Sequence, residues 1–414
     1  MATWPLKRMD QLCEITSSKR IFAADYVSEG VPFYRGREIT EKYKGNLEIS
    51  TELFITEEKF SEIERKFGAP KLGDLLLTSV GTLGSVYVVE PGDRFYFKDG
   101  NITWFRNFQE LESRFLYYWL GSPMGKAELK KATIGSSQSA FTIVLLKGLE
   151  IELPPLPVQR RIAGILSAYD ELIENSQRRI QILETMARAL YREWFVHFRF
   201  PGHETHPRVP SPLGDIPKRW EGKFGDIATM DRDGVNPSDF PGEPFEHFSI
   251  PAFDDGRTPA VELGETILSN KYCIDDSCVL LSKLNPRIPR IWLPAPTGTR
   301  RAITSTEFLV LKPKAGFSRE FIYAKCCSEE FAGQFASLAI GTSTSHQRVK
   351  PQNLLAMPST VPDRKTVEQF TKLVAPMLAM SEQLRAKIQN LRRTRDLLLP
   401  RLLSGQVELE TEAA

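Results

Sequence analysis

The sequence predicts an α+β protein built as a tandem repeat, with a long helix following each globular segment. Three observations carry this. Four short segments recur in the same order at a nearly constant offset, and two long stretches keep apolar residues on a three-four spacing. The chain of 414 residues is 41% hydrophobic, 26% charged and 10% aromatic, enough apolar side chain for more than one core. Its length fits roughly two to four domains.

The repeat is read first. Ile134-Gly135-Ser136-Ser137-Gln138-Ser139 resembles Ile340-Gly341-Thr342-Ser343-Thr344-Ser345, an offset of 206. Leu76-Leu77-Thr78 matches Leu280-Leu281-Ser282, an offset of 204. Ser113 to Tyr117 parallels Ser318 to Tyr323 to within a residue, and Pro157 matches Pro362 ahead of each long helix. Four ordered matches indicate a duplication of one globular domain plus helix.

The first long helix is predicted from about Val158 to Phe198, with a seam of Leu166, Tyr169, Ile173, Ser176, Ile180, Leu183, Ala187, Leu190 and Trp194. The second runs from about Lys365 to Leu403, with Phe370, Val374, Met377, Ser381, Leu384, Ile388, Leu391 and Leu398, interrupted by Arg395. Alternating steps of three and four make these coiled-coil seams, and one chain with two such seams most simply packs them together. Pro157 suits a helix start and Pro201-Gly202 a stop. Pro376 predicts a kink or an N-terminal break in the second helix. Strands are expected at Leu75–Thr78, Val86–Val89 and Thr103–Arg106. Their counterparts are Val279–Ser282, Arg290–Leu293 and Phe308–Lys312. Short helices are expected at Glu112–Leu120 and Ser318–Ser328.

Net charge is +2, from 54 Lys+Arg against 52 Asp+Glu, so the total does not announce a polyanion binder. The distribution says more. Ser277 to Thr306 holds Lys283, Arg287, Arg290, Arg300 and Arg301 with no acid, and Phe331 to Pro362 holds Arg348 and Lys350 with none. Such surfaces attract phosphates, or are simply solvated basic faces. No stretch approaches the ~20 apolar residues of a membrane span, and Met1–Asp10 has no apolar signal segment, so the cytoplasm is the expected location.

Catalytic motifs are missing. There is no G-x-G-x-x-G, no complete phosphate-binding loop and no G-x-S-x-G. Gly121–Lys126 lacks the length and hydroxyl of a phosphate loop and reads as a turn. Asn285-Pro286-Arg287-Ile288 begins like the Asn-Pro-Pro-aromatic loop of amino-methyltransferases, but arginine and isoleucine replace the second proline and the aromatic. The five cysteines show no C-x-x-C spacing, and His203 and His206 lack further ligands, so no metal is expected.

What remains informative is a pair of loops at repeat-equivalent positions. The first holds Ser136, Ser137, Gln138 and Ser139. The second holds Thr342, Ser343, Thr344, Ser345, Gln347, Arg348 and Lys350. Hydroxyls bond phosphates, and Gln and Arg bond adenine and guanine edges bidentately in the major groove. Lys283, Arg287 and Arg290 are expected in support, with Arg35 and Arg37 as weaker candidates.

The chain resembles the specificity subunits of type I restriction-modification enzymes, over almost its whole length. The most specific matches are Leu153-Pro154-Pro155-Leu156-Pro157-Val158-Gln159-Arg160-Arg161-Ile162, Leu190 to Phe198 (LYREWFVHF) and Arg395 to Gly405 (RDLLLPRLLSG). Gly73 to Thr78, Gly81 to Gly84 and Asn101 to Thr103 fit the first recognition domain, and Gly341 to Ser345 the second. Met357 to Asp363 departs from the Pro-Pro-x-Pro-x-Gln form.

The resemblance implies two target-recognition domains, 1–155 and 201–362, each reading half of a bipartite site in double-stranded DNA. It implies helices at 156–200 and 363–414 that pair as an antiparallel coiled coil with pseudo-twofold symmetry, acting as spacer and docking site. It also implies two modification subunits using S-adenosylmethionine, and restriction subunits using ATP and Mg, with no cofactor and no active site in this chain. The alternative from another class is an adenine-specific DNA methyltransferase with a fused recognition domain. An intact Asn-Pro-Pro-aromatic loop and a cofactor-binding glycine motif would mark it.

Overall fold

The computed structural model describes residues 4–46, 49–134, 139–340, 347–407 and 409. The chain divides into two compact units, Met1–Ser176 with Lys387–Ala414, and Gln177–Ala386. Each unit holds one globular domain and segments of both long helices.

The central helix spans Leu156–Tyr191 and ends in a π-helical turn, Arg192–Val196. Pro157 lies in its first turn, where its missing N–H leaves no bond unmade. Gln159 is fully buried beside it. Its Oε1 accepts from the Glu112 N–H at 2.8 Å, and its Nε2 donates to the Glu110 and Pro154 carbonyls, both at 2.8 Å. One amide thus ties the helix start to the domain before it.

The C-terminal helix spans Arg364–Leu403. Asp363 caps it, accepting from the Thr366 N–H at 3.0 Å and the Thr366 hydroxyl at 2.8 Å. The second half, which lacks the first half's glutamine motif, starts its long helix on this aspartate cap. Of the kink or N-terminal break expected at Pro376, the break is absent, since the helix runs on through it. That proline faces solvent, while Val374 and Leu378 on either side are buried in one core. Burial of each is worth about 1.5–3 kcal/mol, enough to offset the ~3 kcal/mol cost of an interior proline. No helix among the described residues is long and apolar enough to cross a membrane.

In the first unit, an antiparallel sheet runs in the order Glu14–Thr16, Ile102–Arg106, Leu75–Thr78, Val86–Val88. Leu75–Thr78 is buried on both faces. Leu75 and Leu77 enter one core and Leu76 another. The first of these cores also takes Ile162, Ala163 and Leu166 from the central helix and Leu402 and Leu403 from the C-terminal one. A second sheet orders Tyr26–Val27, Phe54–Ile55, Val31–Tyr34 and Tyr96–Phe97.

The second unit repeats the plan. Ala228–Asp231, Phe308–Pro313, Val279–Ser282 and Ile291–Trp292 form a sheet of the same order, with Val279 and Leu281 in one core and Leu280 in another. The sheet beside it has five strands, Gly234–Val235, Lys271–Cys273, Arg301–Ser305, Pro244–Phe248 and Ala260–Leu263. A strand pair closes each domain, Leu6–Arg8 with Glu150–Glu152 and Glu221–Lys223 with Pro358–Thr360. Identical strand order with equivalent closing pairs makes the tandem repeat a structural fact.

Within each unit the helix segments pack antiparallel. In the second unit Glu184 accepts from Arg385 at 2.5 Å, while Tyr191, further along the central helix, meets Phe370, earlier in the other. Phe195 lies 5.0 Å from Phe321 and 5.0 Å from Phe370, which gives the aromatic run before Phe198 its role in docking the helix end on the domain. In the first unit Asp170 meets Arg395, while Leu166 shares a core with Leu402. The seam serines are buried with their hydroxyls satisfied one turn back, Ser176 by the Leu172 carbonyl at 2.7 Å and Ser381 by the Met377 carbonyl at 3.0 Å.

Candidate nucleic-acid interface

Each candidate loop is carried on a two-stranded stem. In the first unit Thr133–Ile134 pairs with Ala140–Phe141, Val80 bridges Ala140, and the Phe141 N–H donates to the Ser79 carbonyl at 3.0 Å. In the second, Ala339–Ile340 pairs with Arg348–Val349, and Leu284 bridges Arg348. The Asn285 N–H donates to the Gln347 carbonyl at 2.8 Å and the Val349 N–H to the Lys283 carbonyl at 3.0 Å. Both stems are therefore stitched to the turn that leaves the sheet's most buried strand. A rigid scaffold presenting a loop dense in hydroxyls and amides suits contact with a polyanion.

Ser136, Ser137, Gln138, Thr342, Ser343, Thr344 and Ser345 lie outside the described residues. Of the rest, Ser139 and Lys350 are exposed beside the stems, and Gln347 is half-buried. Arg348 is exposed on the stem with Glu307 as its partner at 3.1 Å. Lys283 is half-buried at the base of the turn, and Arg287 is exposed at its tip. That tip is the Asn-Pro segment. It closes as a turn, with the Ile288 N–H donating to the Asn285 carbonyl at 2.8 Å. Asn285 takes a φ of +49° where the first unit uses Gly81 at +81°. The segment Gly121–Lys126, expected as a turn, is instead a junction between two helices, Ser113–Gly121 and Pro123–Lys131, with Ser122 alone between them as the cap of the second. Gly125 is required there because a Cβ would sit 2.0 Å from the Trp119 carbonyl oxygen.

Three candidate arginines are engaged elsewhere. Arg290 forms a bidentate pair with Asp254 at 2.7 and 2.9 Å, with only 13% of its side chain exposed. Arg35 and Arg37 converge on Glu38, whose carboxylate is wholly buried at the start of the helix Gly36–Tyr43. Arg37 also donates to the Ser50 carbonyl at 3.0 Å. The acid-free run gains acids from a distance as well. Glu243 lies 3.1 Å from Arg301, whose guanidinium also stacks over Phe240 at 4.3 Å. Glu307, the residue that sequence reasoning missed, stands immediately after that run. Its signal was a single acid bordering thirty acid-free positions, from Ser277 to Thr306.

Residues 1–185 match the type I restriction modification DNA specificity domain. The chain is 25% identical to the type I restriction enzyme MjaIX specificity subunit of Methanocaldococcus jannaschii, covering 98% of this chain and 94% of that one. Its fold is similar to the crystal structure of the type I restriction-modification system S subunit from M. genitalium. The TM-score is 0.62 at 17% identity, over 96% of each chain.

Proposed function

From its similarity to the type I restriction-modification DNA specificity subunits, we propose that the chain is a member of that family and that its two globular domains read the two halves of a bipartite site in double-stranded DNA. The observation that carries this is the pair of equivalent stems, each stitched to the same turn of its own sheet. A duplicated reading device suits a divided target. The long helices act in this proposal as the spacer that sets the gap between half-sites and as the docking site for two modification subunits. Those subunits bring S-adenosylmethionine and methylate adenine, and restriction subunits add ATP- and Mg-dependent cleavage. This chain contributes recognition and assembly rather than bond making.

The test is to assemble the chain with its modification subunits and map methylated adenines by long-read sequencing. Binding to the preferred and to a shuffled duplex is then titrated with salt. A motif of two short blocks around a fixed unread gap is the expected result. A continuous motif, or equal affinity for both duplexes, would remove the proposal.

A further inference from the structure

Arg348 closes the second stem, and its side chain already has a partner. Glu307 sits in the tight turn between Arg301–Ser305 and Phe308–Pro313. Its carboxylate accepts from Arg348 Nε at 3.1 and 3.3 Å and from Nη2 at 3.2 Å. Neither residue can drift far. The Glu307 N–H donates to the Ser305 hydroxyl at 3.2 Å, and the Glu307 carbonyl accepts from the Lys283 N–H at 2.9 Å. The Lys283 carbonyl in turn accepts from Val349, next to Arg348, and Leu284 bridges Arg348 itself. Residues 41 positions apart are thus joined through backbone and side chain alike.

A guanidinium carries five N–H donors in a planar fork. Glu307 takes the side formed by Nε and one Nη2 hydrogen. Among the described residues nothing takes the end formed by Nη1 and the other Nη2 hydrogen, on a side chain that is 46% exposed. Two parallel N–H groups of that kind match the O6 and N7 acceptors of guanine in the major groove. The carboxylate also offsets the positive charge that would otherwise favour any phosphate. The geometry points to Arg348 as a guanine reader in the second half-site, with Glu307 as the positioning residue that fixes its fork. This rests on the DNA-recognition reading above and deepens it to one base pair. At the equivalent bridge of the first unit Ala140 takes the place of Arg348.

The test uses the full chain assembled with its modification subunits, methylation of a plasmid library randomised over the site, and salt-titrated binding. The wild-type complex is expected to require a G·C pair at one position of the second half-site. Arg348→Lys keeps the charge but loses the fork, and should weaken that requirement by roughly 5–150-fold while the first half-site is unchanged. Glu307→Gln keeps the side-chain shape. It should relax the same position and, by releasing the arginine's charge toward phosphate, steepen the salt slope by about one.

A preferred motif without a G·C requirement in its second half overturns the inference, as does an Arg348→Lys complex that reads like wild type. Glu307→Gln with tighter binding and an unchanged motif would make Arg348 a phosphate contact that Glu307 merely restrains. Loss of both half-sites together in Glu307→Gln would assign Glu307 to folding and end its positioning role. A wild-type complex that prefers no duplex at all would instead remove the underlying DNA-recognition reading.

Discussion

Arg395 and Asp170, 225 positions apart, form an ion pair between the two helix segments of the first unit. Arg395 is the one residue that interrupts the apolar seam of the C-terminal helix, and this pair is the reason a charge stands there. Tyr118 completes the group from the globular domain, its hydroxyl donating to Asp170 at 2.6 Å. A carboxylate with partners on two sides fixes one register of the helices against the domain. Asp170→Asn weakens both contacts. With the side chains 29% and 32% exposed, the loss should be about 1 kcal/mol rather than that of a fully buried pair. Tyr118→Phe should cost a similar amount. Urea unfolding of the purified chain checks both, and unchanged midpoints in the two variants would discard the assignment.

Glu38 gives a pH dependence. Burial pushes its carboxyl up, but the Arg35 N–H at 2.8 Å, its own N–H and the Arg35 and Arg37 side chains outweigh burial and hold it below the ordinary value of 4.5. A depressed carboxyl stabilises the fold fully above that ordinary value and loses its contribution as pH falls through the folded pKa. Glu38→Gln should therefore lower stability at neutral pH and flatten its decline below about pH 4.5. Thermal unfolding across pH 3–7 measures it. Parallel wild-type and variant curves would show that Glu38 has no such role.

Lys350 and Arg287 are expected to contact phosphates. Replacing either with alanine should weaken binding evenly across sequences and reduce the salt slope by about one. The methylated motif should stay the same. A changed motif would make that residue a base reader instead.

The two half-sites should be read independently, because each domain carries its own stem. Exchanging residues 1–155 for those of a relative should change one half of the methylated motif and leave the other intact. An exchange that alters both halves would argue for one composite site.

Helix length should set the unread gap. Inserting four residues near Arg179 adds about 6 Å of rise and just over one helical turn, so the seam stays approximately in phase. With one DNA base pair per ~3.4 Å, the gap should lengthen by one or two base pairs while both half-site sequences persist. Inserting two residues rotates the seam by about 200° and should abolish methylation. An unchanged gap after the four-residue insertion would mean the helices do not measure it.

Much of this architecture is written locally in the chain. The strands Leu75–Thr78 and Val279–Ser282 lie where alternation and punctuation put them. The long helices lie where the three-four seams put them, because periodicity of burial is a property of backbone geometry that neighbouring residues share. The repeat was legible for the same reason, since equivalent loops keep equivalent residues at a fixed offset. The break allowed for at Pro376 did not form, because packing by Val374 and Leu378 outweighs the local rule.

The ion-pair partners were a different matter. Arg290, Arg301 and Arg348 look alike in an acid-free run or a basic loop, yet they meet Asp254, Glu243 and Glu307 respectively. Gln159 looks like a surface residue and is a buried clasp. Charge type is visible in one dimension, whereas whether a charge is free to meet DNA depends on which carboxylate the folded sheets bring within hydrogen-bonding distance. The sequence alone therefore determined the repeat, the helices and the two candidate loops. The tertiary structure alone decided which arginines are committed to the fold, because those contacts form between residues that share no local pattern.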